Sequence, residues 1–246
     1  MSLFSFQGKV WLAERSAQGK PLKKTWLGNV PSLTLQLATE TSNKIESFSG
    51  NRLQYGLLQR GKTATLNMTL DEWTAYNIAL ALYAQQVAIP TSTVTGEALP
   101  TPLAVGDVIR LAKPFISDLV LTQAPSTVLV AGTDYRIESA SAGLIEFLTA
   151  PSAAVTAAYE NEAAEAVTMF TQTPPERWLL LDGINTETQE EVLLDLYRCK
   201  FNPVSDFGLI HDEYGSLPLT GSVLFDPLNA ATANLGGYGR VVQKAA

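Results

Sequence analysis

The sequence predicts a mainly β protein: a β-sandwich or barrel with one flanking α-helix and an inserted small β-sandwich domain. Three observations predict this class. Apolar and polar residues alternate along several segments, as they do in half-buried strands. A single segment has apolar residues at helical spacing behind a capping motif. From about residue 86 the composition changes to Ala, Thr, Val, Pro and Ser, and short strand patterns recur about every ten residues.

The first part of the chain has strand patterns separated by turn residues. Phe4, Phe6 and Val10 share one face of the first strand, with Trp11 on the other. The polar segment 40–51, which contains the isolated apolar residues Ile45 and Phe48, is predicted to be a loop. The predicted strands are residues 4–12, 24–27, 32–37, 53–58 and 62–70.

One helix start is well marked. Thr69 is followed three residues later by Glu72, which is the pattern of a capping box. Trp73, Tyr76 and Leu80 follow at helical spacing. This pattern predicts a helix over residues 71–85, with its aromatic side chains packed under a sheet.

The remaining strand patterns suggest an insertion within the first domain. We predict the first part of one domain over 1–85, an inserted β-rich domain over 86–172, and the closing strands of the first domain over 173–246, with a loosely ordered tail from Asn229. The predicted strands after the helix are residues 108–111, 116–121, 128–130, 135–138, 144–147, 155–159, 166–170, 178–181, 190–201 and 216–225.

The chain carries few charges, and they are unevenly placed. Charged residues make up 17% of the 246 residues, against about 25% in a typical soluble domain. This deficit suggests that something covers much of the surface, for example further copies of the chain. Residues 1–70 hold nine basic and three acidic side chains, whereas the other 176 residues hold eight and 21. Two interpretations stay open: solvated faces that differ by chance, or opposite surfaces suited to head-to-tail contact between copies.

Few residues suit catalysis or metal binding. The single cysteine, Cys199, excludes an internal disulfide and a multi-cysteine zinc site, and its strand pattern predicts a buried thiol. The single histidine, His211, excludes two-histidine metal motifs, and the turn residues around it predict a solvated loop. We expect no enzyme activity, no cofactor and no metal. With no long apolar run and no signal-peptide pattern, we also expect a soluble protein without membrane contact.

One nucleotide-binding pattern stays open as an alternative. Residues 56–63 (GLLQRGKT) fit the P-loop pattern GxxxxGK[ST], in which Lys62 would contact the terminal phosphate and Thr63 the metal ion. That geometry needs a helix that begins at the lysine. Residues 63–70 instead alternate with period two, which favours a strand, with Gly61 in the tight turn of a hairpin.

The order of these segments resembles the tail tube, or major tail, proteins of long-tailed bacteriophages. An ordered set of segments carries the likeness, closely over 1–85 and 173–228 and more loosely between them. A middle segment, GTDYRIESASAGLIEFL, resembles a hairpin of the inserted domains in some tail proteins. The other segments are FSFQGKVWLA, TLQLATETSNKIESFSGNRLQYG, RGKTATLNMTLDEWTAYNIALALYA, VLLDLYRCKFNP and DFGLIHDEYGSLPLTGSVLFDP.

The resemblance implies a structural virion protein whose hexameric rings stack into a hollow tail tube, the conduit for DNA ejection. It implies a homo-oligomer with a tape measure protein, a tail terminator and baseplate or tip proteins as partners, and transient non-specific passage of phage DNA. The expected location is the virion, after assembly in the cytoplasm of the bacterial host. The inserted domain would project outside the tube. In an alternative interpretation it is a surface- or carbohydrate-binding module, for which Tyr135 and Tyr159 are the aromatic candidates.

Two sets of residues follow as site candidates. In the family a long loop between two early strands contacts neighbouring subunits, and it corresponds here to residues 41–52. Its apolar side chains would be anchors that become buried on assembly. An uncharged strand face is the candidate lumen lining, because weakly charged walls let DNA slide. The candidate contact residues are Thr41, Asn43, Lys44, Ile45, Phe48 and Arg52, and the candidate lumen residues are Thr34, Gln36, Thr63, Thr65 and Asn67.

Overall fold

The computed structural model describes residues 3–173 and 175–244. Strands dominate this part of the chain, which confirms the mainly β class. The strands form several antiparallel sheets, and none of the described sheets closes into a barrel. Two short helices accompany them. No helix in the described ranges is both long and apolar enough to cross a bilayer.

The elements follow one another in three groups along the chain. The first group is β1 (Phe6–Arg15), β2 (Pro21–Trp26), β3 (Ser32–Ile45), β4 (Gln54–Leu70) and α1 (Ala75–Ala81). The middle group is β5 (Gln85–Ile89), β6 (Ser92–Ala98), β7 (Val108–Arg110), β8 (Ile116–Gln123), β9 (Thr127–Val128), β10 (Tyr135–Ser139), β11 (Leu144–Phe147), β12 (Val155–Asn161) and β13 (Ala164–Thr168). The last group is β14 (Arg177–Asn185), β15 (Glu191–Phe201), β16 (Leu217–Val223), α2 (Pro227–Ala230) and β17 (Gly239–Gln243).

The chain divides into two compact units. The first consists of Met1–Gln85 with Val167–Ala246, and the second of Gln86–Ala166. The change of composition near residue 86 therefore lies at the start of the second unit. The second unit ends at residue 166, whereas the inserted domain of the sequence analysis extends to 172.

The first unit is built on one eight-stranded sheet. Its strand order is β2-β1-β14-β15-β16-β4-β3, and β17 pairs with the N-terminal half of β15. Val10 of β1 and Leu66 of β4 belong to the same buried cluster, although three strands separate β1 from β4 in the sheet. The sheet therefore curls so that its inward faces pack on each other, with Leu80 of α1 filling the same cluster.

The helix α1 is shorter than predicted and begins later. Thr74, rather than Thr69, is its N-cap, and its side chain accepts a hydrogen bond from the Asn77 backbone N–H at 3.2 Å. Thr69 is a residue of β4, paired with Ser32. The prediction of 71–85 was wrong because ladder pairing holds the chain in strand conformation as far as Leu70, which leaves the first available cap at Thr74.

The predicted loop over 40–51 was wrong, since most of it is strand. The β3 strand continues to Ile45, and only residues 46–53 connect it to β4. The prediction that Gly61 lies in a tight turn was also wrong. Gly61 lies within β4, where it pairs with Glu40 of β3 next to a register shift. Strands 53–58 and 62–70 are therefore one strand of 17 residues. The polar sequence of residues 40–51 predicts a loop because neither face of this part of the hairpin is buried, so the segment lacks the apolar alternation of a half-buried strand.

The second unit contains two small antiparallel sheets of its own. Their orders are β10-β11-β7 and β6-β12-β8-β9. Their apolar side chains form a separate buried cluster that includes Leu121, Ile145 and Phe147. The predicted short strands of this region are present, the one over 144–147 with the predicted bounds and the others with shifted ends, while β5 and β6 were not predicted. The strand predicted over 166–170 lies over Ala164–Thr168.

The C-terminal tail is ordered as α2 and β17, so the prediction of a loose tail was wrong. The Asp226 carboxylate caps α2 by accepting a hydrogen bond from the Leu228 N–H at 3.0 Å, and it accepts one from Arg15 at 2.7 Å. Asp226 is fully buried. Burial raises its pKa, but the bonds from Arg15, Asn229 and Leu228 outweigh burial and hold the pKa below its ordinary value.

Within the first unit, hydrogen bonds join the segments at which the chain leaves for the second unit and returns. The Phe170 N–H donates to the Leu82 carbonyl at 3.0 Å. The Gln85 N–H donates to the Thr171 hydroxyl at 3.1 Å. The two ends of the interrupted first unit are therefore held side by side.

Candidate functional site

The most distinctive surface is the hairpin formed by β3 and β4, which extends beyond the packed core. Its strands are 14 and 17 residues long. Between residues 38 and 64 only Glu46 is buried. At about 3.3 Å per residue, β4 alone is about 55 Å long. The hairpin is thus held mainly by its own ladder over its distal half, and both of its faces meet solvent.

The structure places the six candidate contact residues on this distal half. Thr41, Asn43, Lys44 and Ile45 lie on β3, where they pair with β4 residues between Gln54 and Gln59. Phe48 and Arg52 lie in the connecting turn, with Phe48 80% exposed. The contact role of these residues stays a prediction, but their setting is a strand pair and its tip rather than an irregular loop.

Large apolar side chains cover the distal hairpin without burial in the chain itself. Sequence reasoning found Ile45 and Phe48 but missed Leu53 in the connecting turn and three residues on the distal half of β4, where neither strand face is buried. Phe48 contacts Tyr55 edge to face, with ring centroids 6.1 Å apart. The exposed set is Ile45, Phe48, Leu53, Tyr55, Leu57 and Leu58.

Glu46 organises the hairpin tip. Its carboxylate accepts hydrogen bonds from the backbone N–H groups of Phe48, Ser49 and Leu53, and from the Ser49 hydroxyl. The hydrogen bonds from Ser49 and Phe48 lower the pKa of Glu46 from 4.5 to about 2. The turn is therefore preorganised by an ionised carboxylate that satisfies its backbone donors.

The candidate lumen residues share one uncharged face of the core-proximal sheet. Thr34 pairs with Asn67, and Gln36 pairs with Thr65. Thr63 lies further along the same face, opposite Ala38. On the other side of β4, the face continues onto β16, where Thr220 pairs with Asn67 and Ser222 with Thr65. The structure thus brings all five residues together, and sequence reasoning missed the two β16 residues that extend the face.

A groove opens at the other end of β4, where the strand meets the segment before α1. It encloses about 460 Å³. Trp73 stacks on Phe207 with centroids 5.5 Å apart and planes 9° apart. Tyr214 is fully exposed at the rim. The remaining lining residues are Leu70, Asp71, Glu72, Gly208, Leu209, His211, Gly215, Ser216 and Leu217.

His211 holds the loop that forms one wall of this groove. Its Nε2–H donates to the Gly208 carbonyl at 3.0 Å. A Cβ at Gly208 or at Gly215 would clash with the imidazole ring. The imidazole ring of His211 therefore packs against both glycines of an exposed loop and is hydrogen-bonded to Gly208. In residues 3–173 and 175–244, no group of three or more His, Cys, Asp or Glu side chains could hold a metal ion.

Charge differs between the two ends of the hairpin. Residues 41–62 hold four basic side chains and one acid, and that acid is the tip-organising Glu46. The segments that line the groove, 69–73 and 202–217, hold five acidic residues and no Lys or Arg. The Asp71 carboxylate accepts a hydrogen bond from the Asn29 side-chain amide at 2.6 Å. A neutral partner leaves its negative charge uncompensated.

The P-loop alternative has no structural basis in these residues. Residues 56–63 are strand throughout, since all of them belong to β4. Lys62 pairs with Thr39 and Thr63 with Ala38 in the ladder. No helix begins at the lysine, so its backbone N–H groups do not converge on a phosphate. Cys199 is buried as predicted, and burial raises the pKa of its thiol to about 12.

The two tyrosines considered for a carbohydrate platform are buried. Tyr135 and Tyr159 are 3% and 2% exposed. Tyr135 donates to the Leu119 carbonyl at 3.2 Å, and Tyr159 donates to the Glu97 carboxylate at 2.6 Å. Their rings are part of the core of the second unit and present no face to a sugar.

Comparison with known proteins identifies one family. No curated protein matches the chain. A family model described as "Protein of unknown function UCP028589" matches residues 3–242. Because this match covers nearly the whole chain, the chain belongs to the family of unknown function UCP028589.

Proposed function

We propose that the protein is a non-enzymatic virion component that self-assembles into stacked hexameric rings, the tail tube of a long-tailed phage. The observation that carries the proposal is the β3–β4 hairpin, which extends beyond the packed core of the first unit and exposes six large apolar side chains. The ordered set of sequence segments that resembles tail tube proteins supplies the identity of the assembly. The tape measure, terminator and baseplate proteins would be its partners.

The energetics of the hairpin favour association. Complete burial of one large apolar side chain contributes roughly 1.5–3 kcal/mol. Even half of that value for each of six side chains amounts to roughly 5–9 kcal/mol per hairpin. This is comparable with the roughly 4–15 kcal/mol lost when two molecules give up free translation and rotation. Several such contacts around a ring would make assembly favourable.

The uncharged sheet face supports a role as a conduit wall. Thr34, Gln36, Thr65 and Asn67 present hydroxyl and amide groups without charge. Tight binding of a nucleic acid depends on the number of phosphates that Lys and Arg neutralise. A wall of this composition would neither hold nor strongly repel a moving duplex. DNA would then pass through the tube without sequence-specific contact.

The test is the assembly state of the purified full-length chain. Electron microscopy in negative stain and sedimentation velocity at high concentration should show rings or tubes. The matched variant replaces residues 41–60 by Asn-Gly between Glu40 and Gly61, which pair in the native ladder. It removes the distal hairpin but leaves the nearest buried residue, Ala64, in place.

The short-hairpin variant should melt at the temperature of the wild-type protein and remain monomeric. The control variant Leu22→Ser removes an exposed apolar residue outside the hairpin and should assemble normally. A wild-type chain that stays monomeric at high concentration would overturn the proposed function. Normal tubes from the short-hairpin variant would remove the hairpin from the mechanism.

A further inference from the structure

The groove beside Trp73 has no function in the proposal so far, and its chemistry is the complement of the hairpin tip. We infer that the groove receives the hairpin tip of a second copy, with Phe48 against the aromatic wall of Trp73, Phe207 and Tyr214. This inference deepens the proposed self-assembly and rests on it. It names the acceptor site that the exposed tip requires.

Apolar complementarity is the first argument. The tip presents Phe48 80% exposed, with Tyr55 beside it. The groove presents Trp73 65% exposed, on a stacked Phe207. Its volume of about 460 Å³ falls within the range of roughly 300–1,000 Å³ that is usual for binding pockets. Aromatic anchors that insert into such pockets carry most of the energy at protein interfaces.

Charge complementarity is the second argument. The tip brings Lys44 and Arg52, while its single acid, Glu46, is buried under its own hydrogen bonds. The acceptor brings Asp212 and Glu213, both exposed on the wall loop. Asp71, Glu72 and Asp206 add to its negative charge. Opposite charges around an apolar centre fix the orientation of the contact and speed the encounter.

The position of the two surfaces makes the contact intermolecular. The tip connects to one end of β4 and the groove begins at the other end, Leu70. About 55 Å of continuous strand separates them. A paired strand cannot fold back on itself, so the tip of a chain does not reach its own groove. Donor and acceptor on opposite ends of one molecule give head-to-tail association, which propagates into rings or stacks.

Disulfide trapping tests this contact directly. Phe48→Cys and Tyr214→Cys are combined in one full-length chain and mildly oxidised. The native Cys199 is 1% exposed and does not compete. The matched control combines Phe48→Cys with Glu187→Cys, an exposed residue of the turn between β14 and β15. The two single-cysteine chains of the test pair are also mixed.

The double variant should give a ladder of covalent dimers, trimers and longer species on a non-reducing gel. The mixed single-cysteine chains should stop at dimers, since each contributes one half of the contact. The Glu187 control should give no ladder. Rings or tubes in the microscope without a Phe48–Tyr214 ladder would overturn the acceptor assignment and leave self-assembly intact. Absence of any assembly by the wild-type chain would overturn both.

A charge exchange provides a second test. Asp212→Lys with Glu213→Lys should weaken association about tenfold, because two surface ion pairs become repulsive. Adding Lys44→Glu with Arg52→Glu to the same chain should restore it, since every interface then carries both reversals. Equal weakening by the two sets without mutual rescue would contradict the docking of the tip in this groove.

Discussion

Replacing the buried carboxylate of Asp226 with a neutral group should be one of the most destabilising substitutions in the first unit. Asp226→Asn keeps the size of the side chain and one oxygen for the α2 cap. It removes the charge that faces Arg15, whose side chain is 12% exposed and whose guanidinium lies 2.7 Å away. The second partner of Arg15 is Glu176 at 3.7 Å. The new amide group would also face the Asn229 amide, a donor that now binds Asp226 at 2.6 Å.

The size of the effect follows from the cost of leaving a buried charge without its partner. Breaking a buried ion pair from one side costs about 3–5 kcal/mol. The retained cap oxygen and Glu176 moderate this, so we expect about 3 kcal/mol. In a chain of this size 1 kcal/mol lowers the melting temperature by about 2–4 °C. Thermal unfolding followed by circular dichroism should therefore show the first unit melting roughly 6–12 °C earlier.

The control for this substitution is Glu138→Gln. Glu138 pairs with Arg136 at 3.3 Å, with both side chains at least half exposed, and such pairs contribute about 0.2–1 kcal/mol. Its melting temperature should stay within about 4 °C of the wild type. If Asp226→Asn melts no earlier than this control, the network around Arg15 does not stabilise the fold and the reasoning fails.

Three further predictions concern Glu46 at the hairpin tip, the Cys199 thiol and the close approach of β1 to β14 at Gly8. The pKa of Glu46 in the folded chain is about 2, so its stabilisation of the tip is complete above pH 4.5 and is lost as the pH falls towards 2. Hydrogen exchange should show that the backbone amides of the tip lose protection over this pH range. Unchanged protection of these amides in Glu46→Gln would contradict this. Cys199, with a pKa of about 12, should not react with a thiol reagent until the chain is unfolded; rapid labelling of the native protein would refute the burial. Gly8→Ala should cost about 1–3 kcal/mol in denaturant unfolding, because its Cβ would overlap the Asp182 carbonyl. Gly56→Ala should be neutral, because its Cβ would make only an ordinary contact with the Lys44 Cβ at 3.9 Å. Equal effects of the two substitutions would contradict the account.

Sequence patterns predicted the elements in which one face is buried. The β16 strand alternates without a break, from Leu217 and Leu219 to Val223, all buried. The 17-residue β4 was divided in two because its distal half has no buried face and therefore no periodic signal. Leu37 illustrates the same limit: it alternates with polar neighbours in the predicted strand 32–37, yet it is 75% exposed because β3 has already left the core.

The groove was beyond the reach of sequence patterns for a different reason. Trp73 and Phe207 are 134 positions apart, and only the pairing of β4 with β16 brings their segments together. The tail was misread because its order depends on contacts made at a distance. Asp226 is neutralised by Arg15 from β1, and β17 pairs with β15. A sequence window that begins at Asn229 contains neither Arg15 nor β15, the partners on which this order depends.

The side-by-side junction at Gln85 and Thr171 has a consequence for how this chain can vary. Because the first unit holds its own two ends together, the 81 residues of the second unit can be exchanged without moving the strands on either side. A short glycine bridge, an enzyme or a fluorescent protein could occupy the same place. The junction is thus a site at which a lineage or an engineer can exchange one inserted unit for another while the first unit stays constant.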